Sequence, residues 1–403
     1  MTVRKRILFV GEAVSLAHIG RPLTLAASLD PARYDIHFAW DARYAGLAEV
    51  PGTSFHPLRT IASSQFLDAL DAGAQTYTAA DFAAYIEAER ALYAEVNPDL
   101  IVADFRLTVA ASGEQAGIPQ ATLVNAYWSP YAIHNSYEPV GEPARLKARR
   151  QLGALKRSLL GGQPPSNDPE TVALNEARQG MGLKPLKDWY EIACTGTYTL
   201  YAEPPDLFPM RRLPAAHRFI GPVLWAPDPP EAPWWNSWDP SRPIIYVTLG
   251  STGAAGSVAE IVRQLAELPI SVLVSTAGRV ELSDVAANVF VADYLPGLEC
   301  VRLASVAVCN GGSGTAYQAV ANATPVVGLW TNPDQQLTMK VLAQAGAGLS
   351  HPAAELAAET VQALVGRALE DPDLRQGAAR LAKQFADYDS GVLFNRFLDR
   401  ALS

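Results

Sequence analysis

Residues 306–319 read Val-Ala-Val-Cys-Asn-Gly-Gly-Ser-Gly-Thr-Ala-Tyr-Gln-Ala, an apolar run that breaks into a glycine-rich turn and resumes with helical spacing. Such a junction leaves the first N–H groups of the helix unpaired, at the positive end of the helix dipole. Gly312 and Gly314 let the main chain approach an anion, while Ser313 and Thr315 can donate or cap. A pyrophosphate suits this set of donors. The alternative is a tight strand–helix turn with no ligand. The stretch lacks the lysine of a Walker loop, and Tyr317 stands where a GxGxxG fingerprint has its third glycine. Ligands of open parallel sheets bind outside the carboxyl ends of strands, where Ser251, Asn310, Asp334 and Gln335 all fall. A carboxylate beside an amide, as in Asp334–Gln335, suits sugar hydroxyls; helix N-capping is the other reading of that pair.

With these residues in view, the second half resembles the nucleotide-sugar-dependent glycosyltransferases of family 1, which have the two-domain GT-B fold. The family's donor motif runs as a His, two glycines, any residue, Gly-Thr and a Glu-Ala pair, with a Pro and an Asp-Gln pair downstream. Here it stands as Asn310-Gly311-Gly312-Ser313-Gly314-Thr315-Ala316-Tyr317-Gln318-Ala319, then Asp334-Gln335. The resemblance implies that Ser313, Gly314 and Thr315 hold the diphosphate, that Gln318 faces the ribose, and that Asp334 and Gln335 meet the sugar. It also implies that Tyr294, in Tyr294-Leu295-Pro296-Gly297, lies under a uracil or thymine while Leu295 offers main-chain groups to the base edge. Ser251 looks like the serine that meets the phosphates. Asn310 departs from the usual His, Gln318 from the usual Glu, and Trp330 from a common Pro. The nucleoside-diphosphate sugar, carrying UDP or dTDP, would be a co-substrate, and no further cofactor is implied. No metal is expected, since no Asp-x-Asp pair suited to bridging one to a diphosphate is apparent.

Inverting glycosyl transfer needs a base for the acceptor hydroxyl and stabilisation of the departing diphosphate. Among six histidines, His18 stands in a loop after the first apolar run, in Ala17-His18-Ile19-Gly20-Arg21-Pro22-Leu23, just before a helix. That segment resembles the family's Gly-His-x-x-Pro-Leu, whose His is the general base; a loop histidine without a role is the alternative. Asp104 ends the run Leu100–Ala103, in a stretch resembling the one that bears the base's carboxylate partner. It could orient the imidazole and balance its charge, or cap a helix near Thr108. The acceptor should be a small, apolar or aromatic molecule with a hydroxyl. Tyr127, Trp128 and Tyr131, after another strand end, offer ring surfaces for it, and they could equally be core. Phe66, Tyr77 and Tyr85 are weaker candidates on the same grounds.

These residues need elements to hold them. Ile7–Val10, Tyr34–Trp40, Leu100–Ala103 and Ala121–Asn125 read as strands, with helices at Arg21–Leu29 and near Thr108–Ala116 and an Ala-rich, interrupted helical region at roughly Phe66–Val96. Residues 141–190 read as helical and polar. After a Pro- and Trp-rich stretch at 221–243 the alternation restarts, with strands at Ile244–Leu249, Ser271–Ser275, Val289–Ala292, Val306–Cys309 and Pro325–Leu329. Helices are expected at Val258–Leu268 and Gln335–Ala345, and amphipathic ones from about Ala353 to the end. The expectation is an α/β protein of two doubly wound, Rossmann-like domains facing a cleft. An acceptor domain would span 1–220, a stiff linker 221–243 and a donor domain 244–385. A last helix, 386–403, would cross back to the first domain.

The chain has 403 residues, 49% hydrophobic and 18% charged, and an acidic balance of 41 to 32 that gives −9. That size suits two or three domains, and the charge argues against neutralising nucleic-acid phosphates. Cys194, Cys300 and Cys309 match no zinc or disulfide spacing, which suggests reduced thiols in a cytoplasmic protein. No stretch approaches the ~20 apolar residues of a membrane span. Two rival functions share the expected fold: an epimerase or hydrolase of nucleotide sugars, and a sensor that binds them without turnover. Retention of both His18 and Asp104 favours a catalyst.

Overall fold

The computed structural model describes residues 4–72, 74–133 and 168–403. The chain forms two compact units, Met1–Val223 with Tyr388–Ser403, and Leu224–Asp387.

The first unit is built on a parallel seven-stranded sheet of order β3-β2-β1-β4-β5-β6-β7. Its strands are β1 (Lys5–Gly11), β2 (Tyr34–Trp40), β3 (Thr53–Pro57), β4 (Leu100–Asp104), β5 (Gln120–Val124), β6 (Tyr198–Tyr201) and β7 (His217–Phe219). The central strands are continuous apolar runs because helices cover both faces of a parallel sheet; all five residues of β4 are buried. Ile7, Phe9, Phe38 and Trp40 form one core with Phe394, Phe397 and Leu398 of the helix Ser390–Ala401. Each such buried side chain contributes roughly 1.5–3 kcal/mol.

The second unit holds a six-stranded sheet of order β10-β9-β8-β11-β12-β13. Its strands are β8 (Ile244–Thr248), β9 (Ser271–Ser275), β10 (Val289–Ala292), β11 (Val306–Cys309), β12 (Val326–Trp330) and β13 (Gly348–Pro352), all parallel. The Trp-rich stretch covers the edge strand β10. Trp234 packs 5.6 Å from the Phe290 ring and donates its indole N–H to the Val291 carbonyl at 3.0 Å.

Several elements differ from the sequence reading. The interrupted helical region read over 66–96 is two helices, Ser63–Ala72 and Ala79–Val96, which places its break. Thr78 and Asp81 form a reciprocal capping box that starts the second. The first helix begins at Ala17, not Arg21, so His18 sits in its first turn rather than in a loop. Strands β3, β6, β7 and β13 lie at or near sheet edges, where apolar runs are short, and were not anticipated. Of the segment 141–190, residues 141–167 lie outside the described residues; Pro169–Gly180 and Trp189–Ala193 are helical. Among the described residues no helix is long and apolar enough to cross a membrane.

Candidate functional site

Each sheet changes direction once, between β1 and β4 in the first unit and between β8 and β11 in the second. Loops leaving such neighbouring strands diverge to opposite faces and open a crevice at their carboxyl ends.

In the first unit, β1 and β4 are in register through Gly11 and Asp104. The helix after β1 carries Pro22 in its second turn, which has no N–H to give the His18 carbonyl. That carbonyl turns instead toward Gly11, where a Cβ would lie 2.5 Å from its oxygen. Only glycine admits this approach, and it brings His18 over the end of β4. His18 Nδ1 lies 2.8 Å from Asp104 Oδ1. Because a carboxylate only accepts, Nδ1 carries the hydrogen and Nε2 is the accepting nitrogen. Asp104 is wholly buried and does not cap the helix Val109–Ala116.

The sequence reading missed the third member. Arg21, one helical turn beyond His18, donates to both Asp104 oxygens, Nε to Oδ2 at 2.8 Å and Nη2 to Oδ1 at 2.6 Å. Its Nη1 donates to Asn125 Oδ1 at 2.9 Å, and Asn125 donates to Glu203 at 2.5 Å. Glu203 also accepts from the Ala126 N–H at 2.9 Å. The three-residue spacing from His18 was the available signal for Arg21. Glu203 had none, since it follows a strand that was not anticipated. Burial opposes the Asp104 charge, but Arg21 and His18 more than offset it and hold the carboxyl below its usual range. The same pairing raises Arg21 against the penalty of burial.

A chain of rings leads from the imidazole. Phe105 lies flat against His18, with centroids 4.7 Å apart and planes 11° from parallel. Trp189 meets Phe105 edge-on at 6.0 Å, and Trp128 meets Trp189 at 6.1 Å. Of the three aromatics assigned to the acceptor, Trp128 joins this chain directly and Tyr127 reaches it only through Trp128, at 5.7 Å. Tyr127 is buried against Phe208 and Tyr131 packs on His217. Phe66 touches Phe105 at 6.0 Å, whereas Tyr77 and Tyr85 are buried and donate to Glu12.

In the second unit, the β11 turn folds as its composition demands. Gly311 has φ +80°, and a Cβ there would meet Met339 Cγ at 2.6 Å. Asn310 Oδ1 accepts from the Gly312 N–H at 3.1 Å, tying the turn. Gly312 is the N-cap of the helix Ser313–Ala321, and its cap carries no side-chain hydrogen bond. Ser313, Gly314 and Thr315 form the first helical turn, where free N–H groups favour an anion. Ser251 lies in the turn after β8. Its neighbour Thr252 accepts from Asn310 Nδ2 at 3.1 Å, joining the two loops. Arg279 adds a cation, donating to the Gly253 carbonyl at 2.7 Å. Neither Thr252 nor Arg279 was singled out from sequence.

The remaining donor-side residues are placed as follows. Gln318 is buried and gives its Nε2 to the Trp225 carbonyl, leaving Oε1 as the other polar atom of the amide. Tyr294 is 43% exposed, with its hydroxyl 3.3 Å from the Ala277 carbonyl, while Leu295 is buried. Asp334 stands in the first turn of the helix Pro333–Gln344, whose N-cap is Asn332. Gln335 is buried, and its Oε1 accepts from the Thr331 N–H at 2.8 Å. Asn332, rather than Asp334 or Gln335, therefore does the capping. Among the described residues no group of three or more His, Cys, Asp or Glu is arranged to hold a metal ion.

Three comparisons bear on this arrangement. The family described as Erythromycin biosynthesis protein CIII-like, C-terminal domain, matches residues 254–390. A PGL/p-HBAD biosynthesis glycosyltransferase of Mycobacterium tuberculosis is 42% identical over 400 residues, 99% of this chain and 92% of that protein. A PGL/p-HBAD biosynthesis rhamnosyltransferase of Mycobacterium bovis is 41% identical over 95% of this chain and 84% of its own. The structure of the spinosyn rhamnosyltransferase SpnG complexed with thymidine diphosphate superposes with a TM-score of 0.70 at 17% identity, covering 98% of this chain and 100% of that one. The two-sheet architecture is the GT-B fold, and the protein is an enzyme of sugar transfer: the chain belongs to the EryCIII-like family of glycosyltransferases.

Proposed function

We propose that the protein is an inverting, metal-independent glycosyltransferase of family 1 that moves a sugar from a nucleoside-diphosphate sugar to the hydroxyl of a small aromatic or apolar acceptor. The observation that carries this reading is the His18–Asp104–Arg21 relay. With Nδ1–H committed to Asp104, Nε2 takes the proton of the acceptor hydroxyl. The oxygen attacks the anomeric carbon from the face opposite the leaving group, and the carbon–oxygen bond to the diphosphate breaks with its electron pair passing to phosphate. The N–H groups at Gly312–Thr315 stabilise that departing anion, so the step draws on the main chain rather than on a metal.

Structural relatives described in complex with thymidine diphosphate or dTDP support dTDP over UDP as the carrier. A rhamnose-like 6-deoxyhexose fits the names of the rhamnosyltransferase relatives. The ring series Phe105–Trp189–Trp128 supports an aromatic acceptor.

The test is the His18→Ala variant, assayed with dTDP- and UDP-sugars and a panel of hydroxylated acceptors, with products read by mass spectrometry. Transfer is abolished while donor affinity, measured by calorimetry, stays at the parent value. Turnover of that variant at the parent rate overturns the assignment of the base. Product formed from donor without acceptor would favour the hydrolase reading instead.

A further inference from the structure

A second buried ionic cluster lies beside the relay, and the transfer chemistry makes no use of it. Arg106 donates from Nε to Glu89 at 2.6 Å and from Nη1 to Glu12 at 2.8 Å and to the Arg59 carbonyl at 2.8 Å. Its guanidinium sits 3.6 Å over the Tyr85 ring. Glu12 also accepts from the Tyr77 and Tyr85 hydroxyls, and Glu89 from Thr108 and Ser112. Glu12, Glu89 and Arg106 are all buried. Burying three ionisable groups is costly unless their partners hold them well.

What the cluster holds is the turn that ends β4. Asp104, Phe105 and Arg106 are consecutive. Asp104 is pinned on one side by Arg21 and His18, and Arg106 on the other by Glu12 and Glu89. The residue between them bridges two fixed anchors with φ +57°, in the left-handed region that a bulky side chain rarely occupies. Such a conformation persists where its surroundings over-determine it. Here it turns the Phe105 ring flat onto the imidazole of His18, while Phe66 and Trp189 brace the ring edges at 6.0 Å.

We propose that Phe105 is a positioning residue for His18, held against the imidazole by the Glu12–Arg106–Glu89 clamp. The Asp104 hydrogen bond fixes one nitrogen but leaves the imidazole free to swing about that contact. A ring against its face removes the swing and aims Nε2 in one direction, and locking of this kind is what a reacting geometry requires. The proposal rests on His18 being the base.

The test uses the full chain and three substitutions, with His18→Ala as reference. Phe105→Asn tolerates the left-handed backbone but removes the ring. Its kcat falls by about 10- to 100-fold, while donor affinity is unchanged. Phe105→Tyr keeps the ring and returns kcat to near the parent value. Arg106→Lys keeps the charge but loses the forked donors, and lowers kcat in the same direction as Phe105→Asn. Should Arg106→Lys fail to fold, the Phe105 pair still decides the matter. Parent kcat in Phe105→Asn, with His18→Ala inactive, overturns the positioning role and leaves the base intact. Equal losses in Phe105→Asn and Phe105→Tyr also overturn it, because ring stacking would then not be what matters. Parent activity in His18→Ala overturns the base assignment instead.

Discussion

The pairing of Arg21 with Asp104 makes a quantitative prediction. Asp104 is wholly buried, and its two oxygens receive two hydrogen bonds from Arg21 and one from His18. Replacing Arg21 by Met leaves a carboxylate in the interior with one partner, and replacing Asp104 by Asn leaves a guanidinium without its counter-charge. Each change should cost about 3–5 kcal/mol, the range for removing one member of a buried pair. If the effects were independent, the double variant would lose about 6–10 kcal/mol. The double variant removes both charges together, so its loss should stay near that of one single variant. Part of that loss is Asn125 Oδ1, which would have lost its Arg21 donor, worth about 1–3 kcal/mol. A coupling of about 3 kcal/mol or more is therefore expected.

The assay is native-state hydrogen exchange of the β1 and β4 amides in a double-mutant cycle, because a chain of two units need not unfold in one step. The pH dependence has a definite sign. The folded carboxyl of Asp104 is held below its usual value, so its contribution is present above the unfolded value of about 3.9 and is lost as pH falls through the depressed folded value. Arg21→Met should show a smaller loss over that acid window than the parent. Additivity of the two single changes to within about 0.5 kcal/mol would refute the reasoning.

Other expectations are open to direct measurement. Gly11→Ala places a methyl 2.5 Å from the His18 carbonyl oxygen, so the helix start must shift. Transfer should slow by about 100-fold while donor affinity stays unchanged, and a parent rate would show that the close approach does not matter. Gln318→Glu sets a carboxylate against the Trp225 carbonyl, and calorimetry should find dTDP binding weaker by about 5- to 150-fold, from a cost of about 1–3 kcal/mol. Burial pushes the thiols of Cys194, Cys300 and Cys309 up to about 12. Alkylation at neutral pH should therefore label none of them in the folded chain and all three in denaturant, as mass spectrometry would show. Labelling of any one in the folded state would contradict its burial.

Much of the chemistry was legible because it lies in short local patterns. The strand–glycine turn–helix at 306–319 needs no distant residue to declare itself: the glycines, the break in periodicity and the restart of the helix are contiguous. The parallel strands at the centre of each sheet read as unbroken apolar runs, and their alternation with helices implied the two units. The edge strands were harder. β3 is only partly buried and β7 has three residues, so neither imposes a pattern on its composition. The start of the first helix was also misplaced: it was read from Arg21, with Pro22 near its N-terminus, whereas the structure begins it at Ala17 and turns the carbonyl that Pro22 cannot satisfy to Gly11.

The sequence by itself determined the α/β architecture and the glycine-rich turn, because periodicity and turn chemistry are properties of neighbouring residues, while His18 and Asp104 were singled out by their resemblance to a family's segments. Only the tertiary structure decided that Arg21 shares Asp104 with His18, that Phe105 stacks on the imidazole, and that Thr252 joins the β8 and β11 loops. These contacts depend on strand order and register, which bring together side chains far apart in the chain. Hydrogen bonds and ring stacking act over only a few ångströms, so beyond the three-residue spacing of His18 and Arg21 the linear order of residues does not record them.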